Sequence, residues 1–218
     1  TFVNYCMGCH SAQYMRWGRL ATDLGIPEGL ASEHLVLGRD TKIGQLMKIS
    51  MPESYAKKVF GAAPPDLTLA ARSRSPEWLY TYLTSFYIDE SRPYGVNNLV
   101  FKDVGMPHVL LGLQGEQLCR PPIALAANGG VKRDGAGNPL EDASHGDCGR
   151  VVPGSVVGSL SAEEYNNEIQ NLVTFMTYMA EPAAVKRERI GVYVLLFIAV
   201  FFFLAYLLNR EYWKDVDH

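Results

Sequence analysis

The apolar residues of this chain concentrate in one late segment, IGVYVLLFIAVFFFLAYLL, Ile190 to Leu208, which runs 19 residues without a charge. At about 1.5 Å per residue a helix of that length spans about 28 Å, the thickness of a bilayer's hydrocarbon core. KRER precedes the run and NREYWK follows it, with Tyr212 and Trp213 placed where interfacial aromatic anchors belong. The pattern predicts one membrane-spanning helix. Ahead of it, SAEEYNNEIQNLVTFMTYM brings Ile169, Leu172, Val173, Met176 and Met179 round at helical spacing, and Ser161 with Glu164 has the form of a capping box. Shorter helices are expected from Glu53 to Phe60, after MPES, and from Pro76 to Tyr87, where Trp78, Tyr82 and Phe86 share a face. No strand-rich block or internal repeat stands out. The expectation is therefore an all-α domain with long loops over residues 1–180, a linker at 181–189, the span at 190–208 and a short tail at 209–218.

Composition changes this picture little. The 218 residues are 48% hydrophobic and 20% charged, enough to bury one sizeable core. The net charge of −3, with no basic stripe, excludes a nucleic-acid footprint. Asp134, Glu141, Asp142 and Asp147 could help steer a basic partner, although solvated loop charges are the simpler reading of them.

The chemistry enters with NYCMGCHS, residues 4 to 11. Two thiols separated by two residues can reach two vinyl groups of one porphyrin while the next residue faces its iron, so Cys-x-x-Cys-His reads as covalent haem c attachment. Cys6 and Cys9 would form the thioethers and His10 would be an axial iron ligand. A thioredoxin-like dithiol needs a βαβ unit, and a structural zinc site needs a second ligand pair at similar spacing. Neither is present: Cys119 precedes Arg120 and Cys148 precedes Gly149.

The second axial ligand separates an electron carrier from a haem catalyst. Met7 lies inside the attachment loop and cannot cross the ring. Met15, Met47, Met51, Met106, Met176 and Met179 remain, together with His34, His108 and His145. Met176 and Met179 are explained by helix packing, Met15 is too close to His10, and Met47 and Met51 are spaced as on one helical face. Met106 lies in an irregular stretch, NNLVFKDVGMPHVLLG, where Gly105 permits close approach and Pro107 keeps the chain out of helix. His108 in the same loop is its rival, and would give a bis-histidine haem of lower potential.

CMGCHSAQYMRWGRL, GAAPPDLTLAARSRS, GMPHVL and EYNNEIQNLVTFMTYMAEP, in that order and followed by one C-terminal span, resemble cytochrome c1, the haem c subunit of the cytochrome bc1 complex, in a proteobacterial form. The resemblance covers nearly the whole chain. It implies one covalent haem c on Cys6 and Cys9, with His10 and Met106 as iron ligands. Arg72 matches an arginine that approaches a haem propionate, with Arg74 the neighbouring candidate. Pro64 and Pro65 match a segment packed beside the haem whose backbone could accept the ligand histidine's other N–H. The resemblance to some bacterial members also implies a disulfide between Cys119 and Cys148, closing a Gly- and Asn-rich loop.

A family member of this kind carries single electrons from the Rieske iron–sulfur protein to a soluble or membrane-bound cytochrome c. Cytochrome b and membrane lipid would be its other neighbours, and it would perform no bond chemistry itself. Its place would be the bacterial inner membrane, with the haem domain periplasmic and the tail cytoplasmic. Lys186, Arg187 and Arg189 before the span outnumber Arg210 and Lys214 after it, against that orientation; attachment of c-type haem outside the membrane argues for it. Only TFVNY precedes Cys6, so a helix ahead of the motif is expected to be missing from the sequence as given. A tethered shuttle outside any bc1 complex, or a haem enzyme or gas sensor lacking Met106 ligation, are the alternatives.

Overall fold

The computed structural model describes residues 1–36, 38, 40–142, 144 and 148–214. The chain divides into two compact units, Thr1–Ala180 and the segment from Glu181 onward.

The first unit combines short helices and one long helix with short strands and long loops. A short π-helical turn, Phe2–Cys6, leads through the cysteine motif into strand β1 (Ala12–Arg16), helix α1 (Trp17–Asp23) and helix α2 (Glu28–His34). Strand β2 (Leu46–Met47), α3 (Glu53–Phe60), α4 (Ala70–Arg74) and α5 (Pro76–Thr84) follow, then β3 (Phe86–Ile88) and β4 (Val96–Asn98). The unit closes with α6 (Leu111–Gln114), β5 (Gly115–Arg120), β6 (Arg150–Val157) and α7 (Ala162–Ala180).

Helix α7 forms for the reasons its spacing predicts. Ser161 Oγ accepts from the Glu164 amide, while the Glu164 carboxylate accepts from the Ser161 amide at 2.9 Å, so the capping box is closed. Its inner face buries Tyr165, Ile169, Leu172, Val173, Met176 and Met179 against α5 and the turn at Phe2–Cys6. Tyr165 adds a hydrogen bond, its hydroxyl donating to the Leu83 carbonyl at 2.9 Å near the end of α5.

The expectation of an all-α domain is too narrow. Three two-stranded antiparallel sheets are present among the described residues: β1 with β2, β3 with β4, and β5 with β6. All three residues of β4 are buried, and β6 alternates only weakly between half-buried and exposed positions, so these short strands write no strong period-2 signal. Helix α5 also ends before Tyr87. Phe86, Tyr87 and Ile88 instead pair with Asn98, Asn97 and Val96 across a turn that Asp89 holds through Ser91 and Asn97. The β5–β6 pair places Cys119 opposite Val151, and a disulfide joins Cys119 to Cys148 with Cα atoms 5.4 Å apart.

Two buried clusters result. The larger gathers Phe2, Cys6, Met7, Met15, Trp17 and Met47 with the inner face of α7; the smaller is Phe86, Val96 and Val104, against which Met106 packs. Tyr82 borders both.

The second unit is one helix, α8 (Ala184–Tyr212), which begins inside the expected linker. Its 29 residues extend about 43 Å, the thickness of a bilayer with its headgroup regions. Every apolar side chain from Ile190 to Leu208 is exposed, and the mean hydropathy of an 18-residue window of the helix is 2.7. An exposed helix of that character requires an apolar surround.

Candidate haem site

The cysteine motif is a tight turn. Both the Cys9 and His10 amides donate to the Cys6 carbonyl, at 3.1 and 2.9 Å, which turns three potential ligands out of one short segment. Neither Cys6 nor Cys9 is part of a disulfide, and burial of Cys6 pushes its thiol up to about 11. No group of three or more His, Cys, Asp or Glu positioned to hold a metal ion occurs among the described residues.

His10 is nine-tenths buried and its orientation is fixed from one side. Its Nδ1 lies 2.7 Å from the Pro65 carbonyl oxygen. A carbonyl only accepts, so Nδ1 carries the proton and Nε2 keeps the lone pair that a metal ligand needs. Burial lowers the histidine below its ordinary pKa, with the Pro65 carbonyl and the nearby Asp66 opposing, and the ring is neutral where ligation requires it.

The Pro65 carbonyl is placed by a clamp between two strands of loop. Leu67 donates its amide to the Ser11 carbonyl at 2.8 Å. One oxygen of Asp66 accepts from the Gln13 amide at 2.7 Å, and the other from the Thr68 amide and hydroxyl at 2.9 and 2.6 Å. Thr68 Oγ1 in turn accepts from the Tyr14 amide at 3.3 Å. Residues 11–14 and 65–68 thus ride together. Pro65 enters the site through its backbone, while its ring is exposed. Asp66 and Thr68 were not anticipated as site residues; an acidic residue followed two positions later by Thr, directly after Pro-Pro, was the available signal.

Met106 lies half-buried against the second cluster, and the Tyr82 hydroxyl donates to its Sδ at 3.4 Å. Burial pushes Tyr82 up to about 12. The ring belongs to an aromatic set: Trp78 stacks on it at 5.0 Å and Phe86 meets it edge-on at 5.1 Å. His108, the rival from the same loop, lies flat on Phe86 at 4.8 Å, and burial pushes it down to about 4 against a Gln114 hydrogen bond. Met7, Met15, Met47, Met176 and Met179 are buried in the larger cluster, and His34 is exposed. His145 lies outside the described residues, as does Asp147.

Arg72 is exposed on α4, whereas Arg74 holds its guanidinium over the Trp78 ring, 5.1 Å from the centroid. The structure therefore brings Cys6, Cys9, His10 and Pro65 together in one place and seats Met106 under Tyr82, which touches both clusters. Two cysteines, a neutral histidine with one nitrogen engaged, and a thioether against an apolar cluster are a donor set that fits a covalently attached haem c.

Comparison with known proteins agrees. The sequence profile of the Cytochrome C1 family matches residues 161–216. The cytochrome c1 of Allochromatium vinosum is 48% identical over 219 residues, covering 99% of this chain and 81% of that protein. The ammonia monooxygenase gamma subunit of Nitrosomonas europaea is 39% identical over 215 residues, covering 99% of this chain and 80% of that protein. The cytochrome c1 of Rhodospirillum rubrum is 23% identical over 242 residues, covering the whole of this chain and 79% of that protein.

Proposed function

The chain belongs to the cytochrome c1 family, and on that premise we propose that it receives electrons from a Rieske iron–sulfur protein and passes them to a cytochrome c, as the haem-bearing subunit of a quinol-oxidising bc1 complex. Members of the family carry one covalently bound haem c and act as membrane-anchored electron carriers. We assign the thioethers to Cys6 and Cys9 and the axial positions to His10 and Met106. The observation that carries this assignment is the 2.7 Å contact of His10 Nδ1 with the Pro65 carbonyl directly after the Cys-x-x-Cys turn.

A haem c held by these residues supplies a one-electron iron couple. The chain's own residues shape that couple. Pro65 fixes the His10 tautomer and increases the donor strength of Nε2, because a hydrogen bond from Nδ1–H moves charge toward the other nitrogen. His10 and Met106 would both hold the iron, which would leave it no open position for a substrate. The apolar clusters that include Cys6 and Met7 on one side and flank Met106 on the other would lower the local polarity and so favour the less charged, reduced state. Cytochrome b is the proposed neighbour of α8. The haem unit is proposed to face the periplasm from the bacterial inner membrane, with the residues after Tyr212 cytoplasmic and the Cys119–Cys148 disulfide on the oxidising side.

The test is an optical and near-infrared spectrum of the oxidised full chain in detergent, for wild type and Met106→Leu. Methionine ligation to ferric haem gives a weak near-infrared charge-transfer band. The band is expected in wild type and absent from the variant. A wild type without it, or a variant that keeps it, overturns the assignment of Met106, and rapid carbon monoxide binding by the reduced wild type would turn the reading toward catalysis or sensing.

A further inference from the structure

We infer that the Tyr82 hydroxyl is a second determinant of the iron couple, a positioning residue that hydrogen-bonds the sulfur of Met106 and limits how strongly that sulfur donates to the metal. The inference rests on the ligation proposed above.

A thioether sulfur has two lone pairs, so one can bind a metal while the other accepts a hydrogen bond. The Tyr82 oxygen lies 3.4 Å from Met106 Sδ, within hydrogen-bonding reach of sulfur. That approach is built rather than incidental. The phenol ring is sandwiched between the face of Trp78, 5.0 Å away with planes 11° apart, and the edge of Phe86 at 5.1 Å, with Phe101 edge-on at 6.3 Å. Swinging the hydroxyl toward water would break this set.

The loop bearing Met106 is tied to the same residue. Asn98, 1% exposed, donates its side-chain amide to the Tyr82 carbonyl at 2.7 Å, while its Oδ1 accepts from the amides of Val100 and Phe101 at 3.0 and 3.2 Å. Next to it, Asn97 Oδ1 accepts from the Asp103 amide at 2.9 Å. Tyr82 and the segment leading to Met106 thus share one buried asparagine pair, which holds hydroxyl and sulfur in register. A hydrogen bond to the sulfur withdraws electron density from it. The ferric state, which carries the greater charge, loses more from that withdrawal than the ferrous state, so the bond favours reduction.

The experiment compares the haem-loaded full chain in detergent as wild type and Tyr82→Phe, which keeps the ring and removes only the hydroxyl. Midpoint potential and the near-infrared methionine band are read together. The expected result is a band that persists with altered position, and a potential that falls by up to about tenfold in the oxidised-to-reduced ratio, ~59 mV for a one-electron couple. A hydroxyl that serves packing alone would lower the melting temperature without moving the potential. An unchanged potential in a variant that retains the band therefore overturns the inference while leaving Met106 on the iron. Absence of the band in wild type overturns both. Should Tyr82→Phe fail to load haem, the iron–sulfur stretching frequency of wild type in H2O and D2O replaces it: a shift on exchange of the hydroxyl proton supports the bond, and no shift overturns it.

Discussion

Asp66 joins the two segments of the clamp beside the proposed haem site, and removing it tests the whole clamp. Its carboxylate accepts three hydrogen bonds, from the amides of Gln13 and Thr68 and from the Thr68 hydroxyl, all at 2.6–2.9 Å. Hydrogen bonds to a charged acceptor are worth ~1.5–3 kcal/mol each when buried. Asp66 is only half-buried, so water replaces part of what is lost, and Asp66→Ala is expected to cost about 3 kcal/mol in all. For a chain of this size that lowers the melting temperature by about 6–12 °C. Asp66→Asn is milder, since its amide nitrogen must face at least one of the donors that the carboxylate accepted from; about 1–2 kcal/mol is expected. The functional consequence has its own sign. A looser Pro65 carbonyl weakens the bond to His10 Nδ1, reduces the donor strength of Nε2 and so raises the potential, opposite to the Tyr82→Phe shift. Thermal unfolding followed by the haem spectrum, with a redox titration, measures both. An Asp66→Ala protein that melts within about 2 °C of wild type, less than ~1 kcal/mol for a chain of this size, and keeps its potential would show that something other than this clamp places Pro65.

Replacing both Cys119 and Cys148 by Ser opens a loop closed by residues 29 apart, which on the chain-entropy account costs about 3–4 kcal/mol. Thermal unfolding of the full chain should move down by about 10 °C, and a shift below about 2 °C would mean that the β5–β6 pairing alone constrains the loop. Glu164 has a pKa held below the ordinary carboxylate range by the Ser161 amide and then the Ser161 hydroxyl. A depressed pKa contributes stability that is present above the unfolded value, about 4.3, and lost as pH falls through the folded one. Glu164→Gln, which can still close the capping box, should flatten that acid limb in denaturant titrations while leaving neutral-pH stability nearly unchanged. An acid limb identical to wild type would remove Glu164 from the account.

The cysteine motif and the two long helices were legible because each obeys a local rule. Covalent attachment requires its thiols and histidine at fixed spacing in one turn, and α7 and α8 announce themselves through a 3.6-residue period and an uninterrupted apolar run. In the sequence Met106 is one of several sulfurs and histidines; what the fold adds is the Tyr82 hydroxyl against its sulfur. Burial places Met15, Met47, Met176 and Met179 in the larger cluster, and His108 is taken up by its stack on Phe86. The strands escaped because they are short and carry no regular alternation, β4 being buried throughout and β6 mostly half-buried or exposed.

The sequence by itself determined the attachment chemistry and the membrane helix, since both depend on residues adjacent in the chain. Only the tertiary structure decided which carbonyl orients His10, which acid places that carbonyl, and which hydroxyl reaches Met106. The pairs concerned, His10 with Pro65, Gln13 with Asp66 and Tyr82 with Met106, lie 55, 53 and 24 residues apart. No periodicity connects positions at such separations; they meet because the helices and strands between them pack in one way.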